Sequence, residues 1–318
     1  MRHVVKAPHG RRLSVDSLGD PWGKPVFLFH GTPGVSRGPR PRGIVLHRLG
    51  IHLIGYDRPG YPGSDRNPHR TVADAAEDVA AIADYFGIKR FSVVGRSGGA
   101  PHALACAAIL NTQVDCAAAL SSLAPSDADG LDWSAGMTEF NVRAYRNARA
   151  DLVTLIATLN EQAGQVRGNP EGLLKQLWPE LVSDDKDVIG DITLRRIIAQ
   201  VHAEALSEAA DGWIDDVVAL SRPWGFDPCE ITAPVKLWHG SKDVFSPVSH
   251  AYWLAQRIPR AVLKIETEQA HFGSVEILVS ILHWVADQVG SPAPAPPAPA
   301  PAQAPVTAAA VTATAAAG

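Results

Sequence analysis

Residues 91 to 105 are Phe-Ser-Val-Val-Gly-Arg-Ser-Gly-Gly-Ala-Pro-His-Ala-Leu-Ala. The opening apolar residues predict a short buried strand, and the alanine-rich run from 100 to 110 predicts a helix. Between them, residues 95 to 99 fit G-x-S-x-G at a strand-to-helix turn, which is the context of a nucleophile elbow. Such a turn strains the backbone of the serine, exposes its hydroxyl above the strand ends and leaves room only for glycine nearby. The stretch therefore predicts Ser97 as a nucleophile; the alternative is a glycine-rich turn whose serine caps a helix.

The composition is that of a globular protein without a nucleic-acid or membrane partner. The chain has 318 residues, of which 46% are apolar and 19% charged, and its formal net charge is -4. No apolar run reaches the ~18 residues that a membrane span needs, and the start of the chain lacks the apolar core of a signal peptide. Three cysteines without metal-ligand spacing, Cys106, Cys116 and Cys229, favour a reducing compartment. We therefore expect a cytoplasmic monomer or homodimer that acts on a small-molecule substrate without a cofactor or metal.

Short strands alternate with helices on both sides of the elbow. Strands are predicted at 4–18 (two, around a turn at 8–11), 25–30, 51–56, 91–94, 115–120, 234–239 and 261–265. One helix is predicted to end near Leu49, and a second to begin at Thr71 with Asp74 as its capping partner. A third is predicted to span 274–289. This alternation indicates βαβ units and a mostly parallel sheet, whose reactive groups gather at the carboxyl ends of the strands.

The stretch from 125 to 225 contains helical patterns and no clear strand. Apolar stripes of helical spacing run through 152–159, 194–206 and 213–220. We therefore expect a core formed by 1–124 and 226–290, a helical lid at 125–225 that roofs Ser97, and a disordered Pro- and Ala-rich tail at 291–318. Some lid aromatics are expected to line an apolar pocket; the candidates are Trp133, Phe140, Tyr145, Trp178, Trp213, Trp224 and Phe226.

A serine nucleophile needs a base and an acid that orients the base. After an elbow the expected chain order is serine, acid, histidine. Asp243 follows the strand at 234–239, and His271 follows the next strand, so both are predicted at the same sheet edge as Ser97. The competing bases are His30, His102, His239 and His250, but a role in packing or in bracing a loop explains each of them better. The alternative acid is Asp127.

Five motifs in this order resemble the α/β-hydrolase family. They are His30-Gly-Thr-Pro-Gly34, Asp57-Arg-Pro-Gly60, Gly95-Arg-Ser-Gly-Gly99, His239-Gly-Ser-Lys-Asp243 and His271. The chain looks most like the capped, esterase- and peptidase-like members common in actinobacteria, over about residues 10 to 290. The resemblance implies an α/β fold with a mostly parallel central sheet flanked by helices. It also implies that Ser97 is the nucleophile, His271 the base and then acid, and Asp243 the group that orients His271.

The resemblance further implies an oxyanion hole formed by the backbone N–H groups of Gly98 and Thr32. Gly31 and Arg96 are the predicted substrate-binding residues, and Asp57 and Arg58 are expected to brace the loops. Arg96 departs from the family pattern: its side chain binds a substrate carboxylate or folds back onto Asp57 or Asp127. A serine at the elbow argues against the epoxide-hydrolase and haloalkane-dehalogenase branches, which have an acid there.

These features predict a serine hydrolase that cleaves an ester, or alternatively an amide, of a small hydrophobic substrate through an acyl-enzyme. One alternative is a proline-releasing aminopeptidase, which needs an acidic lid group such as Glu139, Asp151 or Glu204 to hold a free amino terminus. A second is a C–C hydrolase or lyase that uses the same three residues. A third is a ligand-binding protein on this scaffold with a silent Ser97.

Overall fold

The computed structural model describes residues 1–288, which are built around one eight-stranded sheet. The strands are β1 (Arg2–Lys6), β2 (Arg12–Gly19), β3 (Lys24–Phe29), β4 (Ile51–Tyr56), β5 (Phe91–Arg96), β6 (Val114–Leu120), β7 (Val235–Gly240) and β8 (Ala261–Glu266). Their order across the sheet is β1-β2-β4-β3-β5-β6-β7-β8. The pairs β1/β2 and β2/β4 are antiparallel and all the others are parallel. The predicted strands and the mostly parallel α/β sheet are confirmed.

The central strands are apolar on both faces because helices cover both sides of the sheet. In β3, Phe27 and Phe29 lie in one core cluster, whereas the alternate residues Val26 and Leu28 lie in the cluster on the other face. Residues of β5 divide between the two clusters in the same alternating way. Burial of β5 on both faces therefore holds this strand in place, and Ser97 follows at its carboxyl end.

The helices fall into two groups. Those that pack around the sheet are α1 (Gly43–Arg48), α2 (Ala75–Tyr85), α3 (Ala100–Ile109), α10 (Val248–Arg257), α11 (Gly273–Glu276) and α12 (Leu278–Gln288). Between β6 and β7 lie α4 (Glu139–Ala150), α5 (Leu152–Gly168), α6 (Gly172–Leu177), α7 (Ser183–Gly190), α8 (Ile192–Ala205) and α9 (Asp211–Leu220). We call residues 125–225 the helical insertion; it contains no strand, as its sequence predicts.

Two predicted helix boundaries were wrong. The helix expected from Thr71 begins at Ala75, because the Asp74 carboxylate accepts hydrogen bonds from the backbone N–H and hydroxyl of Thr71 in a turn that precedes the helix. The closing helix is interrupted at Ile277 and forms two helices, α11 and α12. The tail predicted at 291–318 lies outside the described residues.

The apolar stripes of the helical insertion were only partly right. On α9, all the predicted apolar residues are buried. On α5, Leu155 and Leu159 are buried, whereas Leu152, Val153 and Ile156 are exposed. Among residues 1–288, no helix has the length and apolar character that crossing a membrane requires.

Candidate active site

The turn after β5 holds Ser97 in a left-handed backbone conformation, with φ of 53°. This region is costly for a residue that is not glycine, so the surrounding packing must enforce it. A Cβ atom at Gly95 would lie 2.5 Å from Ala100 Cα, and one at Gly99 would lie 2.3 Å from the carbonyl oxygen of His30. The glycines of the motif are therefore required by the close approach of strand and helix, as the sequence predicts.

Ser97, His271 and Asp243 form one hydrogen-bonded row at the carboxyl edge of the sheet. The Ser97 hydroxyl lies 3.0 Å from His271 Nε2, and His271 Nδ1 lies 2.8 Å from Asp243 Oδ2. The three residues follow β5, β8 and β7, whose ends meet at this edge. With the carboxylate as acceptor, Nδ1 bears the proton and Nε2 is left to accept from the serine hydroxyl.

The second oxygen of Asp243 fixes the acid in its turn. Asp243 Oδ1 accepts hydrogen bonds from the backbone N–H groups of Phe245 and Ser246 at 2.8 and 2.9 Å. Burial by itself would raise the pKa of Asp243, but the charge and hydrogen bond of His271 outweigh it, so that the pKa is lowered below its usual value. Asp243 is therefore ionised at neutral pH and can stabilise a protonated His271.

The pKa of His271 is shifted in the opposite direction. Burial would lower its pKa, but the charge and hydrogen bond of Asp243 and the charge of Asp185 raise the pKa above the usual 6.5, against a smaller opposing effect of Arg96. A histidine with a raised pKa is a stronger base when neutral, which suits removal of a proton from a serine hydroxyl.

Asp185 was missed by the sequence analysis. It lies on α7 in the helical insertion, and its Oδ1 accepts a hydrogen bond of 2.8 Å from the backbone N–H of Phe272, next to His271. Burial raises the pKa of Asp185 to about 6, and its Oδ2 is buried without a hydrogen-bond partner among the described residues. In the sequence it is one of two acids in the first turn of a helix, where acids are common anyway. No signal in the sequence distinguished it.

The competing histidines all have other partners. His102 Nδ1 lies 2.8 Å from the carbonyl oxygen of Gly98, and burial lowers its pKa to about 3. His250 bridges the backbone N–H of Ala124 and the carbonyl oxygen of Trp133.

The remaining two histidines brace loops at the sheet edge. His239 Nε2 lies 2.5 Å from the carbonyl oxygen of Ser246. His30 accepts from the backbone N–H of Arg58 through Nε2 and contacts the carbonyl oxygen of Gly31 through Nδ1. The alternative acid, Asp127, is exposed and makes no contact with His271.

Thr32 lies directly against Gly98, beside Ser97. A Cβ atom at Gly98 would lie 2.2 Å from Thr32 Oγ1, so only glycine allows this approach. Gly98 lies in a short 3₁₀ turn, Ser97–Gly99, that leads into α3, and N–H groups at such a helix start lack intrahelical acceptors. The Thr32 N–H donates no hydrogen bond to another backbone group in residues 1–288. Two backbone N–H groups are thus available close to the serine.

A buried carboxylate in the helical insertion anchors the Thr32 loop. Asp216 on α9 accepts hydrogen bonds from Thr32 Oγ1 at 2.6 Å and from Tyr61 Oη at 2.8 Å, and it pairs with Arg58 and Arg70. Arg58 also donates to the carbonyl oxygens of His30 and Gly31. The predicted bracing role of Arg58 fits these contacts, but the sequence analysis missed Asp216 and Arg70. Asp57 holds the neighbouring loop by accepting from the backbone N–H of Ser36.

A cavity of about 140 Å³ opens onto Ser97 between the sheet edge and the helical insertion. Its size is close to that of an engineered cavity of about 150 Å³ that binds benzene. Of the predicted aromatic residues, Phe140, Tyr145 and Trp213 line it, whereas the other four do not. Trp224 stacks on Phe226, Trp133 packs against Tyr145 and His250, and Trp178 is exposed.

Both predicted substrate-binding residues, Gly31 and Arg96, line this cavity. The predicted fold-back of Arg96 onto Asp57 or Asp127 is wrong: Arg96 makes no ion pair with either acid, since Asp57 contacts Ser36 and Arg2, and Asp127 is exposed. Among the described residues, the lining includes no aspartate or glutamate. Glu139, Asp151 and Glu204, the acids considered for holding an amino terminus, are all exposed outside it.

Comparisons with known proteins agree with this fold. A family model described as alpha/beta hydrolase fold matches residues 24–276. Among curated proteins, none matches this chain in sequence. Solved structures that resemble it include an enol-lactonase from Burkholderia xenovorans LB400, with a TM-score of 0.66 at 17% identity, covering 90% of this chain and 99% of that one.

Two esterases are similar to the same degree. One is a thermophilic esterase from Thermogutta terrifontis with malate bound, with a TM-score of 0.65 at 18% identity, covering 91% of this chain and 99% of that one. The other, from Rhodococcus sp. ECU1013, has a TM-score of 0.63 at 19% identity and the same coverage. At such identities the likeness shows the fold alone.

Proposed function

The chain belongs to the α/β-hydrolase family, and we propose that it is a serine hydrolase that cleaves a carboxylic ester of a small molecule through an acyl-enzyme. The single observation that supports this most is the row from Ser97 through His271 to Asp243, with distances of 3.0 and 2.8 Å. Neighbours of the same fold that are named esterases and an enol-lactonase are in keeping with an ester as the substrate.

In the proposed reaction, Ser97 Oγ attacks the ester carbonyl carbon while His271 Nε2 accepts the hydroxyl proton. The C–O bond to the alcohol then breaks, and His271 returns the proton to the leaving oxygen. Water, deprotonated by His271, then attacks the acyl-enzyme carbonyl; the bond to Ser97 Oγ breaks, His271 returns the proton to Ser97 Oγ, and the carboxylic acid is released. Asp243 stabilises the imidazolium in both steps.

The proposed oxyanion hole consists of the backbone N–H groups of Gly98 and Thr32, two residues that lie directly against each other next to Ser97. In comparable sites, removal of one such donor lowers kcat by about 10²–10³-fold. We propose that the helical insertion is a lid, since α4, α8 and α9 supply much of the cavity wall opposite the sheet edge. An apolar wall with Phe140 and Trp213 suits a substrate with a small hydrophobic part.

The aminopeptidase alternative has less support. Holding a free, protonated amino terminus requires a carboxylate within reach of the nucleophile. Within the described residues the cavity lining has no carboxylate and does have a cation, Arg96, which would repel an ammonium group. An ester is therefore favoured over the amino-terminal amide of a peptide.

The proposal is tested by labelling with a fluorophosphonate probe, followed by peptide mapping. We expect wild-type protein to be labelled at Ser97 and the Ser97→Ala variant to be unlabelled, because only an activated serine reacts. Ser280→Ala, which changes an exposed serine on α12, is the matched control and should label as wild type does. Folded wild-type protein that takes up no label, or a Ser97→Ala variant labelled as strongly as wild type, would contradict the proposal.

The proposed base also predicts a pH profile for kcat/KM. Activity requires neutral His271, and the pKa of His271 is raised above 6.5, so activity should be complete well above that pH and fall as the pH drops through the raised pKa. The Asp185→Asn variant keeps an acceptor for the Phe272 N–H but loses a charge that raises the pKa of His271. Its acid limb should therefore move to lower pH.

The control for this profile is Asp184→Asn, which changes the partly buried neighbour that pairs with Lys242 and should leave the acid limb in place. Rates measured across pH 5 to 9 with one aryl ester suffice. An acid limb that lies below pH 6 in wild type, or one that moves to higher pH in Asp185→Asn, would show that the electrostatic account of His271 is wrong.

A further inference from the structure

The cavity contains a cation without a counter-charge. Arg96 is the last residue of β5, is half-buried, and lines the cavity immediately before Ser97. In the part of the chain that the structure describes, its guanidinium has no ion pair and no aromatic ring beneath it. Burial lowers the pKa of Arg96 to about 10, with no neighbouring carboxylate to oppose the effect, so it remains charged at neutral pH.

An unpaired cation in this position is energetically unfavourable in the free protein. Moving a charge out of water costs free energy unless an opposite charge or hydrogen bonds replace the water. The other arginines buried at this sheet edge, Arg58 and Arg70, both pair with Asp216. Arg96 differs from them in that no carboxylate of the described residues pairs with it and its unused donors open into the cavity, where a bound anion could take the place of water.

His202 adds a second unused polar group to the same wall. It projects from α8, is nine-tenths buried, and its Nδ1 has no hydrogen-bond partner among the described residues. Burial and then the charge of Arg96 lower the pKa of His202 to about 4, so it is neutral at physiological pH and offers one N–H donor. Arg96 and His202 line the same cavity.

We propose that the substrate has a second, unesterified carboxylate, which Arg96 binds in the cavity with His202 as an additional donor while the ester carbonyl lies at Ser97. The inference rests on the proposed function, because it specifies the substrate of that same site. A guanidinium binds a carboxylate through two parallel hydrogen bonds, a geometry that no other side chain provides. Since Arg96 is adjacent to Ser97 and the cavity measures about 140 Å³, the class is a monoester of a short dicarboxylic acid.

The first experiment compares two substrates that differ in whether this carboxylate is free. They are the 4-nitrophenyl monoester of glutaric acid and the same compound with its free carboxylate blocked as the methyl ester. We expect wild type to favour the charged substrate about 10- to 100-fold in kcat/KM, the usual effect of a charged hydrogen-bonded pair. Arg96→Met should abolish the preference, and Arg96→Lys should retain part of it because the charge remains but the paired geometry is lost.

Arg196→Met is the matched control, since Arg196 is an exposed arginine on the same helix as His202. It removes one positive charge from the protein without altering the cavity, so the preference for the charged substrate should persist. A wild-type enzyme that hydrolyses both esters with the same kcat/KM, or an Arg96→Met variant that keeps the preference, would overturn the inference while leaving the serine hydrolase intact.

A second measurement does not depend on turnover. Glutarate should raise the melting temperature of the Ser97→Ala protein, and it should not do so in Ser97→Ala combined with Arg96→Met. The uncharged analogue glutaramide should have no effect on either protein. If neither ester is hydrolysed but glutarate still stabilises the protein through Arg96, the carboxylate site stands and the proposed hydrolase function fails. If glutarate stabilises neither protein, the site is refuted.

Discussion

Replacement of Ser97 by alanine is expected to lower kcat for an aryl ester by about 10⁵- to 10⁶-fold, and His271→Ala by a similar factor. The two effects should not add, so the double variant should be no slower than either single one. In the proposed mechanism, the Ser97 hydroxyl is a poor nucleophile without a base, and His271, whose Nε2 lies 3.0 Å from it, would accept its proton. Asp243→Ala should cost less, about 10⁴-fold, because in this mechanism Asp243 orients the base without touching substrate.

These losses are measured as initial rates with wild type and variants, after circular dichroism has shown that each variant is folded. Ser280→Ala and His283→Ala, both exposed on α12, serve as controls for the two substitutions and should retain wild-type rates. A single variant that kept more than about a hundredth of the activity would place the chemistry elsewhere. Multiplicative losses in the double variant would show that Ser97 and His271 act independently.

Much of the fold follows from the sequence because buried parallel strands leave a plain signal. In β3 and β5 the residues on both faces of the sheet are buried, so both strands are continuous runs of mostly apolar residues. A surface helix or a loop does not need such a run. The order of Ser97, Asp243 and His271 also follows, since each comes just after a strand and the carboxyl ends of those strands meet at one edge. Local pattern and topology together bring these residues to one place.

Residues of the helical insertion that complete the site could not be found in this way. Asp216 pairs with Arg58, which is 158 residues away along the chain, and Asp185 reaches the backbone of Phe272 across 87 residues. Both acids lie on helices. Apolar periodicity predicts that a helix forms there, but it does not predict which part of the protein the polar residues of that helix contact. On α5, Leu152 and Val153 are exposed although they fit the same spacing as the buried Leu155. Tertiary packing decides such details.

Replacement of Asp216 by alanine is expected to lower the free energy of unfolding by about 3–5 kcal/mol. The carboxylate has no exposed surface, and its partners Arg58 and Arg70 are 1% and 3% exposed, so the variant would bury two cations without their counter-charge. In a domain of this size the melting temperature falls by roughly 2–4 °C for each kcal/mol. Asp211→Ala on the same helix is the matched control. Asp211 pairs with Arg66 at the surface, and we expect a loss of at most about 1 kcal/mol.

The same network predicts how stability depends on pH. Burial alone would raise the pKa of Asp216, but Arg58 and Arg70 outweigh it, and the pKa lies well below the usual value of an aspartate. Because the pKa is depressed on folding, the stabilisation is complete above the unfolded pKa of about 4 and is lost as the pH falls below it. Urea unfolding between pH 3 and 7 should therefore show a steeper loss of stability in acid for wild type than for Asp216→Ala.

Asp216→Asn separates the charge of this carboxylate from its shape. The amide can still accept from the Thr32 hydroxyl but no longer neutralises the arginines, so its stability should lie near that of Asp216→Ala rather than that of wild type. If Asp216→Asn were instead as stable as wild type, the hydrogen bonds and not the charge would hold the Thr32 loop. If Asp216→Ala lost no more stability than Asp211→Ala, the two buried arginines would have to find another counter-charge, and the anchoring role of Asp216 would be refuted.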